Sequence, residues 1–129
     1  MIELNNIKNI LIISDTHQNS YDKVHSEIKK QISITDLVIH CGDITSENVI
    51  NGIKENAKKS IIVHGNSDPK EIRDSLPKKQ IFKLNNITFG VIHPYWGGAP
   101  PIDYELILNQ FGEIKPQYIL FGHTHDPHI

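Results

Sequence analysis

Short aliphatic runs alternate with stretches of helical periodicity along this chain. Ile10-Leu11-Ile12-Ile13 is a continuous apolar run of strand length and reads as a strand buried on both faces. The start of the chain, up to Ser14, reads as strand rather than leader peptide, because no basic region precedes a long apolar stretch. Tyr21, Val24 and Ile28 recur at helical spacing and predict a helix over 21–31. Leu37 to His40 predicts a second buried strand. Val49, Ile50 and Ile53 line one face of a helix over 46–56, and a third strand follows over 60–64. Asp68-Pro69-Lys70-Glu71 carries helix-start signals, with Asp68 as N-cap, or alternatively as a residue that orients Asn66 or a surrogate acid, and Glu71 at the capping-box position; that helix ends before Pro77. Runs over 80–84 and 87–92 flank Asn85-Asn86 and predict a tight hairpin. A Pro/Gly-rich loop over 93–101 leads to a helix over 103–111 and a last strand over 118–121.

This order predicts an α/β fold, a mainly parallel core sheet covered by helices with one antiparallel hairpin added. With 129 residues and no internal repeat or linker, 1–129 reads as a single domain. A 38% hydrophobic and 22% charged composition is ordinary for a globular protein. The net charge of -2 argues against long nucleic-acid backbones as partners. Small phosphorylated ligands remain open, because bound cations add positive charge to a site. Cys41 is the one cysteine, which excludes an intrachain disulfide and fits a cytoplasmic protein. No apolar run nears the ~20 residues needed to cross a membrane.

The chemistry sits just past the predicted strand ends. Asp15-Thr16-His17, Gly42-Asp43, Gly65-Asn66-Ser67-Asp68, His93 and Gly122-His123-Thr124-His125 each follow an apolar run. Ligands gather at the carboxyl ends of strands in such sheets, so these clusters predict one shared site. Oxygen and imidazole donors without thiolates suit two divalent cations sharing a carboxylate. Such a pair is the usual apparatus for in-line displacement at phosphorus. Asp15 and His17 lie two apart, so on an extended chain their side chains point the same way; His123 and His125 repeat the spacing. Any one of these motifs is common in polar turns, and it is their shared position that carries the reading. Among the other histidines, His25 reads as solvent-facing on a helix, His40 and His64 end strands beside the site, and His128 reads as uninvolved. Cys41 reads as a small buried packing residue. Tyr95 and Trp96 either offer an aromatic wall to a substrate or pack onto the domain.

Taken together, Asp15-x-His17, Gly42-Asp43, Gly65-Asn66-x-Asp68, His93 and Gly122-His123-x-His125 resemble the signature of the calcineurin-like metallophosphoesterases, in family order. The strings Ser14 to His17, His40 to Asp43 and Gly122 to His125 are similar to its small microbial phosphodiesterase branch, which is related to a scaffold subunit of the retromer coat. The resemblance covers essentially the whole chain. It implies a mixed-sheet α/β sandwich flanked by helices. It implies one metal on Asp15, His17, Asp43 and His125, and a second on Asp43, Asn66, His93 and His123, with Asp43 as the bridge. Asp43, Asn66 and His93 take the catalytic positions in that assignment. The implied activity is hydrolysis of a small phosphodiester, or another phosphoester, by a hydroxide shared between the cations. Manganese suits oxygen-rich six-coordinate sites best, with Fe, Zn, Ni and Co also compatible. A homo-oligomer is compatible with the same reading, and a non-catalytic metal-binding scaffold of the same fold is the alternative to it. Ser67 and the absence of extra domains disfavour a phosphoprotein phosphatase.

Three departures stand out. Ser67 occupies the position where many family members carry a histidine for leaving-group protonation, and Pro94 follows His93 where glycine is usual. The sequence stops at Ile129, before the further strands of the family, so the domain reads as incomplete at that end. Because His93, His123 and His125 bind metal only as neutral imidazoles, hydrolysis is expected to fall below about pH 6. A rate profile that stays flat down to about pH 5 contradicts this ligand assignment.

Overall fold

The computed structural model describes residues 2–93, 104–112 and 114–122. Its elements in chain order are β1 (Ile2–Leu4), β2 (Ile10–Ile13), a 3-10 turn (Tyr21–Lys23), α1 (Ser26–Ile34), β3 (Leu37–His40) and α2 (Glu47–Asn56). They continue with β4 (Ser60–Ile62), α3 (Lys70–Ser75), β5 (Lys79–Leu84), β6 (Ile87–Ile92), α4 (Tyr104–Asn109) and β7 (Tyr118–Phe121). The predicted loop over 94–101 and the segment carrying His123, His125 and His128 lie outside the described residues.

The strands form two sheets, the mixed sandwich that the resemblance implies, where periodicity alone predicts one parallel sheet with a hairpin. One has the order β2-β3-β4 and is parallel throughout. The other has the order β1-β5-β6-β7, antiparallel only across the β5–β6 hairpin. Asn85 and Asn86 both take positive φ, 50° and 67°, which is the two-residue turn whose twist suits a hairpin. The split corrects two readings of the N-terminal region. What reads as one strand up to Ser14 is two, β1 and β2, each pairing in a different sheet. β2 is an outer strand among the described residues, and Ile12 is 49% exposed, so it is not buried on both faces. An uninterrupted aliphatic run looks the same whether or not a second neighbour covers it.

Three apolar layers hold the sheets and helices together. Val38 and Ile62 point from the parallel sheet toward Ile32, Val49, Ile53 and Ile72 of the helices. Leu37, Ile39 and Ile61 point the other way and meet Phe82 and Val91 between the sheets. Ile92 meets Ile107 and Phe111 on the far side. β3 therefore has all of its residues buried, with alternate ones in different cores. Each fully buried aliphatic residue contributes roughly 1.5–3 kcal/mol from its removal from water.

Helix boundaries depart from sequence signals where a side chain finds a tertiary partner. The helix expected over 21–31 is broken at Val24, and α1 starts beyond it with exposed His25 as N-cap, its ring accepting from Glu27 N. α3 has Pro69 at its N-cap with no side-chain cap bond, so Asp68 does not cap it. The ladders also set the height of the strand ends. Ile13 pairs with His40, and His40 with Ile62, so β2, β3 and β4 finish in one row. In the other sheet Ile92 pairs with Phe121.

Gly52 lies inside α2 against the ring of Tyr21, where an added Cβ would come within 2.6 Å of the Tyr21 Cβ. Alanine gains about 1 kcal/mol of helix propensity there, but the overpacking costs about 1–3 kcal/mol. Gly52→Ala is therefore expected to lower stability by about 1 kcal/mol in urea melts, with the loss relieved by Tyr21→Ala in the same chain. A Gly52→Ala protein as stable as wild type rules out the overpacking.

Candidate metal centre

The loops leaving the aligned strand ends have an unusual backbone. Asp15, His17, Asp43 and Thr45 take positive φ values of 54°, 49°, 60° and 69°, and Gly42 one of 105°. Each such non-glycine residue costs on the order of 1–3 kcal/mol, and clusters of them mark functional sites. Asp15 and His17 thus converge through left-handed backbone, not through the extended chain that their spacing suggests. The loops are cross-linked, with Cys41 N donating to Ile13 O at 2.9 Å and Asp15 N to Gly42 O at 3.0 Å.

The side chains form two groups around Asp43, which is 3% exposed. In the first, donor atoms of Asp15, His17 and Asp43 all lie within 4.8 Å of one another. His17 Nε2 stands 3.8 Å from Asp15 Oδ1 and 3.9 Å from Asp43 Oδ2. In the second, His93 Nε2 lies 3.2 Å from Asp43 Oδ2 and 2.9 Å from Asn66 Oδ1. His93 Nδ1 is 2.9 Å from the Cys41 carbonyl, which can only accept, so Nδ1 carries a proton. In the neutral ring Nε2 then presents a lone pair to two oxygen acceptors. Acceptors brought this close need a positive centre between them, either a proton or a cation. This donor set, rich in oxygen and imidazole and free of thiolate, fits divalent metal ions.

Close approach of the loops depends on glycine. A Cβ on Gly42 would come within 2.6 Å of the His93 Cβ, and one on Gly65 would collide with the Asp43 carboxylate. A Cβ on Gly122, at the end of β7, would approach Asp15 Oδ2 at 2.9 Å and Ser14 Oγ at 2.8 Å. The end of β7 in one sheet therefore meets the end of β2 in the other, immediately before His123. His123 and His125 themselves lie outside the described residues.

Burial alone raises the Asp43 carboxyl, but His93, when its Nε2 carries a proton, and the Ser67 N–H, 2.8 Å from Asp43 Oδ1, hold it well below the usual carboxylate range. The charged form therefore persists in a nearly closed position. The Cys41 thiol is pushed up to about 12, first by burial and then by the Asp15 charge, so it is an inert packing group. His64 is buried, with Nδ1 3.4 Å from Gly65 O, and does not reach the two groups around Asp43 by any described contact.

His40 contributes more than its place at a strand end indicates. It is fully buried, its Nδ1 accepts from Gly42 N at 3.1 Å, and its Nε2 sits 3.1 Å from Thr16 Oγ1. It thereby joins the Asp15 loop to the Asp43 loop. The sequence signal is the histidine two residues ahead of Gly42 at the end of an apolar run. The Cys41 carbonyl, which orients His93, leaves no signal because backbone groups are common to all residues. Burial, and then the proximity of His93, pulls the His40 imidazole down to about 3, so it folds neutral. In the unfolded chain it titrates near 6.5 and takes up a proton first. Its contribution is complete above about pH 6.5 and falls by up to about 1.4 kcal/mol per pH unit between about pH 6.5 and 3. His40→Asn, whose amide oxygen can replace Nδ1, is expected to flatten the loss of stability between about pH 6.5 and 4.5 in urea melts with EDTA. An unaltered slope in that variant removes His40 as the source.

Comparisons with known proteins bear on the family and the fold. Residues 9–129 match the calcineurin-like phosphoesterase superfamily domain. A probable metallophosphoesterase of Methanocaldococcus jannaschii is 37% identical over 123 residues, covering 92% of this chain and 59% of the relative. This chain thus spans well under two thirds of that relative's length. A Thermotoga maritima protein solved by NMR is 32% identical with a TM-score of 0.75, over 95% of this chain and 76% of that one. Vps29 from Entamoeba histolytica, solved with zinc, shares the fold at 18% identity and a TM-score of 0.69, over 92% of this chain and 66% of its own. Two sheets flanked by helices, strand ends converging on a carboxylate and histidine cluster, and a match over nearly the whole length lead to one conclusion: the chain belongs to the calcineurin-like phosphoesterase superfamily.

Proposed function

We propose that the protein hydrolyses small phosphodiesters with two divalent metal ions, manganese in preference to Fe, Zn, Ni or Co. The observation that carries this reading is the shared carboxylate. Asp43 Oδ2 faces His17 on one side at 3.9 Å and His93 on the other at 3.2 Å. On this reading Asp15, His17, Asp43 and His125 hold one ion, and Asp43, Asn66, His93 and His123 hold the other. The probable metallophosphoesterase from M. jannaschii supports a hydrolytic role.

Such ions, when bound, would lower the pKa of a nearby water and neutralise charge on the phosphoryl oxygens. The chain's own residues supply the rest. Asp43 stays ionised, so its charge is available at neutral pH. The Cys41 carbonyl holds His93 with Nε2 directed at Asp43 and Asn66. Asn66 provides an oxygen without adding negative charge, which limits repulsion of an anionic substrate. Ser67, exposed beside Asn66, is a poor proton donor and donates its backbone N–H to Asp43. Diesters with good leaving groups, or with leaving oxygens protonated by water, suit that position better than poor leaving groups. No described helix is long and apolar enough to cross a membrane, and the cytoplasm is the compartment proposed for this activity.

The test is hydrolysis of a nitrophenyl phosphodiester by metal-stripped protein, with and without Mn²⁺, beside Asp43→Ala. The expected result is Mn²⁺-dependent turnover that falls by more than about 100-fold in Asp43→Ala, since even residues behind the ligands cost 10–100-fold. Folded protein that holds two metal ions and shows no turnover overturns the enzymatic reading in favour of a metal-binding scaffold.

A further inference from the structure

We infer that Asp68 is a positioning residue that sets the distance between Asp43 and Asn66 and so the affinity of the site for metal. This inference rests on the two-metal reading above. Asp68 is 3% exposed and forms no ion pair among the described residues. Its charge is met instead by three backbone N–H groups. Oδ2 accepts from Gly65 N at 2.7 Å and Asp43 N at 3.1 Å, and Oδ1 accepts from Thr45 N at 2.5 Å.

Those donors belong to two different loops. Asp43 and Thr45 lie beyond β3, and Gly65 lies beyond β4, directly before Asn66. One carboxylate therefore staples the loop that carries the shared ligand to the loop that carries the amide ligand. It does so where the backbone most needs support, because Asp43 and Thr45 both hold left-handed φ values of 60° and 69°. Charge-assisted bonds are stronger than neutral ones. A helix-capping role is excluded by geometry: α3 has no side-chain cap bond, and both Asp68 oxygens are turned to the loops. Its three bonds fall on Asp43 itself, on Thr45 two residues beyond, and on Gly65 directly before Asn66, so they act next to both side chains that face His93.

Asp68→Asn keeps the shape and one acceptor but sets an amide NH₂ against Thr45 N–H, donor to donor. The experiment measures Mn²⁺ binding by calorimetry for wild type, Asp68→Asn, and Ile53→Val as a core variant of reduced stability. Should Asp68→Asn fail to fold, Asp68→Ser replaces it. The expected result is a Kd for Mn²⁺ raised 10–100-fold in the Asp68 variant, with turnover restored by excess Mn²⁺, and an unchanged Kd in Ile53→Val. Wild-type affinity in Asp68→Asn overturns the inference, and so does an equal loss in Ile53→Val. Wild-type protein that binds Mn²⁺ but does not hydrolyse sinks the phosphodiesterase reading alone, and the Kd ratio still decides Asp68. If wild type takes up no Mn²⁺, amide NMR of the metal-free protein decides. Downfield Gly65, Asp43 and Thr45 signals that move upfield in Asp68→Asn support the staple, and unmoved signals overturn it.

Discussion

A buried carboxylate surrounded by other acceptors is the constraint from which the rest of this structure follows. Asp43 is 3% exposed, stays ionised, and faces Asn66 Oδ1 across the Nε2 of a histidine whose Nδ1 proton is committed to a carbonyl. Removing such a charge from water is costly unless opposite charge or donors surround it. The Ser67 N–H meets one oxygen, and the other faces His17 and His93. A cation between these groups relieves the repulsion, which is why the cluster makes physical sense as a metal centre and little sense as packing.

The fold delivers that arrangement through register. Because Ile13, His40 and Ile62 lie in one row, Asp15, Asp43 and Asn66 emerge from the same edge of one sheet. His93 comes from the other sheet, brought alongside by the apolar layer of Leu37, Ile39, Phe82 and Val91. Gly42, Gly65 and Gly122 let the loops come within contact distance where any side chain would collide. The strained loop backbone is tolerated because the sheets beneath it are anchored in buried aliphatic cores on both faces of β3.

Two carboxylates in this small region are treated in opposite ways. Asp68 has its oxygens met by backbone N–H groups and serves the loops. Asp43 receives one such bond from Ser67 and turns its other oxygen toward imidazoles. That division separates a carboxylate committed to loop backbone from one left facing imidazoles.

Much of this was legible in the sequence because short-range pattern and composition are read directly. The hairpin at Asn85-Asn86, the buried β3 and the apolar face of α2 follow from period and turn chemistry alone. Asp15, His17, Asp43, Asn66 and His93 stand out in the sequence because each lies just past a predicted strand end, and the structure brings them together from two sheets. What only the tertiary structure decided depends on partners distant in sequence. Periodicity carries no information on which strand pairs with which, so the two-sheet sandwich was legible only through the resemblance of the motifs, and the outer position of β2 among the described residues appears only on folding. Asp68 has the local signature of a helix cap and loses that role to three N–H groups on loops it cannot be seen to meet along the chain. His40 likewise becomes a buried link between loops only when Thr16 and Gly42 are brought to it. The sequence by itself determined which chemical groups are present and at which strand ends. Three-dimensional contact decided which of them face the metal centre and which hold its loops in place, because hydrogen bonds and burial are properties of neighbours in space.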